Sequence, residues 1–219
     1  MSSRGMLITF EGNEGCGKST QLRLLYDYLR KKGKKVFLTR EPGGTPIGDR
    51  IRGVLLDVRH QKMSPVCETL LYMASRAQLV AEVVKPRLDQ GQMVLCDRWL
   101  DSTLAYQGYA GGVDPRWIQE LGRAATQGVM PNLTIYLDLP VKDGLERVRK
   151  RNASDRMEKK GLIFHEKVRK GFLAIAKKEP KRFKRIVVSK NDSIQEVHEK
   201  ILKAFRREIG YTYLFLFQK

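Results

Sequence analysis

The stretch FEGNEGCGKST, Phe10 to Thr20, holds three glycines, two acids and a single lysine. It follows the short apolar run MLITF (6–10) and leads into STQLRLLYDYLRKKG (19–33), where leucines recur at three- and four-residue steps. From Gly12 to Ser19 it fits G-x-x-x-x-G-K-[ST], placed between a strand and a helix as the mechanism of that motif requires. Glycines let the backbone wrap until successive N–H groups face phosphate oxygens, and the following helix N-terminus adds partial positive charge. Gly12, Asn13, Glu14, Gly15, Cys16, Gly17, Lys18, Ser19 and Thr20 therefore read as a cradle for the phosphates of a nucleoside triphosphate. In such a loop Lys18 reaches the outer phosphates and the Ser19 hydroxyl can ligate Mg²⁺. The electropositive setting is expected to favour the thiolate of Cys16.

Outward from this loop, apolar runs alternate with helical patterns. MLITF, KVFLT (35–39), MVLCD (93–97), LTIYLDL (133–139) and RIVVS (185–189) lack polar alternation, which suits strands buried on both faces of a parallel sheet. Gly33 stands where a C-cap is expected after the first helix, and the stretch 65–91 reads as a second long helix with Pro65 at its start. Strands alternating with helices predict a three-layer α/β fold, a five-stranded parallel sheet flanked by helices. No linker or repeat interrupts 1–210, which reads as one domain. Residues 149–161, RKRNASDRMEKKG, are dense in charge and read as a short mobile lid between two helices. The tail YTYLFLFQK (211–219) is apolar and follows Gly210; an added strand, a subunit contact and a disordered end all remain open for it.

Composition narrows the class further. With 42% hydrophobic and 30% charged residues, the chain reads as globular and soluble. Its three cysteines lack metal-ligand spacing, no apolar run approaches a membrane span, and no secretory segment precedes MLITF, so a cytoplasmic setting is expected. The 42 Lys+Arg against 24 Asp+Glu give a net charge of +18. That balance suits either a polyanion binder or an enzyme handling phosphorylated substrates, and charge alone does not separate them.

The strand MVLCD ends in Asp97, which can hold the metal beside the loop. Beyond it, DRWLDSTLAYQG (97–108), with REPGGT (40–45) and YMASR (72–76), resembles the thymidylate kinases of the bacterial type, over nearly the whole chain from Met6 to about Arg207. The resemblance implies a P-loop kinase core with a lid, a homodimer, and the reaction ATP + dTMP to ADP + dTDP, with Mg²⁺ accompanying ATP. The lysines are spread along the chain, especially beyond residue 142, and no nucleic-acid module appears, so neither a nucleic-acid nor a membrane partner is expected.

The resemblance also implies roles for single residues. Tyr72 stands where the family stacks an aromatic on thymine, and Arg76, four positions on and so on the same helix face, meets thymine O4. Thr103 and Gln107 match positions at the far edge of the base, and Tyr106 one that packs against the deoxyribose. Arg98 and Arg52 match the arginines on the acceptor phosphate, a task suited to a planar bidentate guanidinium. Glu41 and Pro42 line the same pocket, and Glu14 matches the acid near the nucleotide 3′-hydroxyl and the metal, which Ser19 and Asp97 also serve. Some members carry an arginine directly after the P-loop acid. Here that position is Gly15, so the catalytic charge besides Lys18 and Arg98 is expected from the lid, with Arg149, Arg151 and Arg156 preferred over Arg147. Restoring an arginine at Gly15 is expected to replace part of that charge where geometry allows.

Two rivals remain to be weighed. Another P-loop nucleoside monophosphate kinase would share loop and lid but should lack EPGGT and AYQG. A nucleotide-dependent switch or binding module would explain the loop, but neither a base-reading pair nor an arginine-rich lid.

Overall fold

The computed structural model describes residues 5–150 and 155–215, with side chains as far as Gly210. Five strands form one sheet in the order β2-β3-β1-β4-β5: β1 (Met6–Glu11), β2 (Val36–Arg40), β3 (Met93–Asp97), β4 (Leu133–Asp138) and β5 (Phe183–Val187). Every pairing is parallel, and the register sets Phe10 beside Asp97 and Arg40 beside that same Asp97. The predicted strands are all present, shifted by no more than two residues at their ends.

Two apolar layers explain why these strands lack polar alternation. Ile8, Phe10, Leu95 and Ile135 point to one face, packing on Leu22, Leu25 and Leu29 of α1 (Lys18–Lys31) and on Ile201 and Phe205 of α9 (Ile194–Phe215). Leu7, Val94, Cys96 and Tyr136 point to the other face. They meet α3 (Pro65–Leu79), the segment from α5 (Leu100–Thr103) onward, α6 (Pro115–Thr126) and α8 (Leu162–Lys178). Two threonines buried on adjacent strands satisfy each other, Thr9 Oγ1 lying 2.9 Å from Thr134 Oγ1. The element order places the loops after β1, β2 and β3 side by side at the carboxyl end of the sheet, the usual ligand position in such folds.

The long helix predicted for 65–91 is one continuous run, but Val80–Val84 between α3 and α4 (Lys85–Asp89) is π-helical, as is Leu104–Ala110 after α5. α2 (Pro46–Leu56) and α3 both begin with proline after a hydroxyl cap: Thr45 Oγ1 accepts from Gly48 N and Ser64 Oγ from Cys67 N. α7 (Val141–Arg149) and α8 flank the lid. Its described part differs from the segment expected to bury little, because both Arg156 and Met157 are buried. Asp155 Oδ1 also accepts from the backbone of Met157 and Glu158, closing a tight turn. Past Gly210, where the backbone kinks at φ 76°, the chain to Phe215 is helical; the last four residues of the tail lie outside the described set. Among the described residues no helix is long and apolar enough to cross a membrane.

Candidate active site

The loops at the carboxyl end of the sheet enclose a cleft of about 390 Å³. One end is the glycine-rich loop. Lys18 Nζ, at the start of α1, donates to the carbonyls of Gly12 at 2.9 Å and Asn13 at 3.0 Å, so its charge is fixed against the loop it serves. A Cβ on Gly12 would lie 2.6 Å from Cys16 Sγ, and one on Gly15 only 2.1 Å from the Gly144 carbonyl of α7. Both glycines also have positive φ, so close approach and backbone shape demand the same residue. Asn13 faces away from the cleft, its amide nitrogen donating to the His165 carbonyl of α8 at 2.8 Å. Cys16 is buried, and burial pushes its thiol up despite the neighbouring Lys18 and Arg98. The thiolate expected from the sequence is therefore disfavoured: desolvation outweighs the cations.

Beside this loop Ser19 Oγ donates to Asp97 Oδ2 at 2.8 Å. A hydroxyl and one carboxylate at the edge of a phosphate cradle match the sparse protein ligation of Mg²⁺, which retains waters and phosphate oxygens for its other positions. Glu14, also expected near the metal, is committed elsewhere. Its Oε1 accepts from Arg98 Nη2 at 2.6 Å and from Tyr106 Oη at 2.9 Å. Burial would raise its carboxyl, but Arg98 and Lys18 prevail and bring it down to about 2.

Arg98 is the hub of the cleft. Its guanidinium also donates to the Gly12 carbonyl at 3.1 Å and to Ser102 Oγ at 3.0 Å. Its backbone sits at φ 72°, left-handed for a residue with a side chain, a geometry that costs of order 1–3 kcal/mol. Neighbouring hydrogen bonds hold it there: Arg98 N donates to Phe10 O, and Trp99 N donates to Glu11 Oε1 at 2.8 Å. Ser102 Oγ donates to the other Glu11 oxygen at 2.5 Å. In the sequence Glu11 reads only as the residue joining the run MLITF to Gly12, whereas the structure makes it the last residue of β1. Burial and the nearby Asp101 push its carboxyl up to about 8, against the pull of Arg98.

The far end of the cleft is built on α3. Arg76 is buried against Glu41, with Nε at 2.8 Å and Nη2 at 2.6 Å from Oε2, and Nη2 also donates to Thr103 Oγ1 at 3.0 Å. Thr103, predicted at the edge of a base, thus anchors the arginine as well as lining the cleft. Gln107 donates from Nε2 to Glu68 Oε1 at 2.7 Å. Arg52 of α2 donates to the Pro42 carbonyl at 3.0 Å. All ten residues that the resemblance assigns to the acceptor, Glu14, Glu41, Pro42, Arg52, Tyr72, Arg76, Arg98, Thr103, Tyr106 and Gln107, line this one cleft.

The lid arginines are placed differently from the preference drawn from sequence. Arg149 is exposed at the end of α7, and Arg151 lies outside the described residues. Arg156 is buried against α2 and α3, with Nε donating to the Leu55 carbonyl at 2.8 Å and Nη2 paired with Glu68 Oε2. Arg147 instead approaches the phosphate loop, its Nη1 lying 3.4 Å from the Gly15 carbonyl. Among the described lid residues, Asp155, Met157 and Glu158 reach the cleft.

Comparison with known proteins points the same way as this geometry. The sequence model of the thymidylate kinase family matches residues 10–201. A thymidylate kinase of Geotalea uraniireducens is 47% identical over 206 residues, covering 91% of this chain and 96% of that protein. One of Desulfovibrio desulfuricans is 51% identical over 185 residues, covering 81% and 85%. The crystal structure of thymidylate kinase from Ehrlichia chaffeensis superposes with a TM-score of 0.75 at 36% identity, covering 93% of this chain and 99% of that one. The match to the family model over 10–201 and the relatives covered over most of their length agree with the fold, and the chain belongs to the thymidylate kinase family.

Proposed function

We propose that this chain transfers the γ-phosphate of ATP to dTMP, giving dTDP and ADP. The observation that carries the reading is the continuity of the cleft. Residues of its glycine-rich loop, Arg98, Arg52 and the buried Arg76 all line this one cleft. A donor triphosphate on residues 12–20 and an acceptor monophosphate against Arg98 and Arg52 would meet over Lys18.

The acceptor phosphate is ionised at neutral pH, so no general base is required, and catalysis consists of positioning and charge neutralisation. Lys18 and Arg98 offset repulsion between the anionic reactants. Glu14 and Tyr106 hold Arg98 in place, and Tyr106 faces the sugar. Tyr72 stacks on the base while Arg76 and Gln107 read its edge. Ser19 and Asp97 would hold Mg²⁺, which supplies further neutralisation of phosphate charge. Among the described arginines of 147–156, Arg147 is the one beside the loop; Arg149, Arg151 and Arg156 are retained as cations that lid movement could bring inward, Arg156 only after leaving Glu68. The same reading carries a homodimer, with the family resemblance as its support, and a cytoplasmic setting.

A coupled assay of ADP formation, with ATP and each monophosphate in turn, tests the proposal. Turnover should depend on dTMP and Mg²⁺. ATP hydrolysis indifferent to the monophosphate would favour the switch reading, and a preference for another base would place the chain's activity elsewhere among the nucleoside monophosphate kinases.

A further inference from the structure

We infer that Glu68 sets base selectivity in the acceptor pocket by fixing which end of the Gln107 amide faces the cleft. The inference rests on the reading of dTMP as acceptor, and it concerns a residue that never touches the base.

Glu68 lies in the first turn of α3, 6% exposed and outside the lining of the cleft. Its Oε1 accepts from Gln107 Nε2 at 2.7 Å, and its Oε2 is paired with the Arg156 guanidinium. A primary amide is nearly symmetric in shape, so Gln107 could present either its oxygen or its NH₂ to a ligand. Glu68 removes that freedom. A guanidinium can only donate and an ionised carboxylate can only accept, so the amide must turn its nitrogen toward Glu68 and leave its carbonyl oxygen for the cleft.

The consequence is a fixed pattern on the base-reading wall. Arg76 supplies donors, and Gln107 supplies an acceptor. Thymine presents O4, an acceptor, beside N3–H, a donor, which complements that wall. Cytosine presents an amino group and a bare N3, the reverse order. A flipped Gln107 would remove half of the discrimination by offering NH₂ to the cytosine N3. Glu68 is therefore a positioning residue for specificity. The lid enters the same arrangement, because the second Glu68 oxygen is held by Arg156.

The test is the ratio of kcat/KM for dTMP to that for dCMP. In Glu68→Gln, the amide at 107 faces another amide and can adopt either orientation. The ratio should fall about tenfold, the effect of leaving one buried hydrogen bond mismatched, while KM for ATP stays unchanged. A merely structural role would lower both substrates together and leave the ratio intact, which would overturn the inference. Because Glu68→Gln leaves Arg156 buried without a carboxylate, the ratio is measured also in Glu68→Gln/Arg156→Gln, where it should fall equally. It should hold in Arg156→Gln alone. The exchange Glu68→Gln/Gln107→Glu puts an acceptor-only group at 107 and should recover thymine preference; failure to do so counts against the inference. A wild-type chain with no preference for dTMP would instead overturn the functional reading beneath it.

Discussion

Replacing Arg76 with alanine should damage two properties that can be measured apart. Arg76 and Glu41 are 1% and 2% exposed at the side chain, joined through two nitrogens to one carboxylate oxygen. Removing one member of such a buried pair strands the other charge, at a cost of about 3–5 kcal/mol. That is a large share of the roughly 5–15 kcal/mol by which a domain is stable. Burial already raises the Glu41 carboxyl even with Arg76 opposing it. Without the arginine, Glu41 should keep its proton in the folded state further into the neutral range. A carboxyl whose folded value lies above its unfolded one favours folding at low pH and loses that contribution as pH rises. The stability deficit of Arg76→Ala should therefore be smaller near pH 5.5 than near pH 8 in urea titrations. Adding Glu41→Gln, which removes the stranded charge, should restore most of the stability. It should not restore turnover, because the proposed donor to thymine O4 is still missing, and kcat/KM for dTMP should remain roughly ten- to a hundredfold low. An Arg76→Ala variant as stable as the wild type at both pH values would refute the energetic reasoning. Full activity in the double variant would remove Arg76 from base recognition.

Three further outcomes follow from the same geometry. Lys18→Ala should fold normally yet lose turnover by about 10³–10⁵, comparable to loss of a transition-state arginine in related chemistry, and single-turnover kinetics would measure it. Gly15→Arg should not restore catalytic charge, because a side chain there meets the Gly144 carbonyl at 2.1 Å from a backbone of φ 70°; a lowered melting temperature and lowered activity are expected. Glu11, pushed up to about 8, keeps a proton in the fold that the unfolded chain releases above about 4.5. Stability should thus decline between those pH values, and Glu11→Gln should flatten the decline in urea midpoints measured across that range.

The strands and the phosphate loop were legible because burial on both faces and the glycine spacing act locally, within a few residues of chain. That Arg76 and Gln107 line the cleft was legible only through the longer motif around them. Their partners were not: Glu68 reads as an acid in the first turn of a helix, where such acids are commonplace, and Glu11 reads as a joining residue between the run MLITF and Gly12. Each acquires meaning only when β1, α3, α5 and the π-helical segment after it are brought together by the sheet order, across separations in sequence of 39 residues for Glu68–Gln107 and 91 for Glu11–Ser102. The lid shows the same limit of sequence reading. Counting arginines between 147 and 156 gave charge without direction, whereas the fold turns Arg156 into the wall of α2 and α3 and leaves Arg147 beside Gly15. The π-helical turns at 80–84 and 104–110 have no clear signature in residue periodicity.

The central claim, phosphoryl transfer to a thymine nucleotide, is tested most directly by competition in one reaction. The chain is given ATP labelled at the γ-phosphate, Mg²⁺, and equal amounts of dTMP, dCMP, dAMP and dGMP, and the labelled diphosphates are resolved. The account predicts that label accumulates in dTDP well ahead of every other product and that Lys18→Ala abolishes it. Label spread evenly over the four diphosphates, concentrated in dCDP, or released as inorganic phosphate would contradict it.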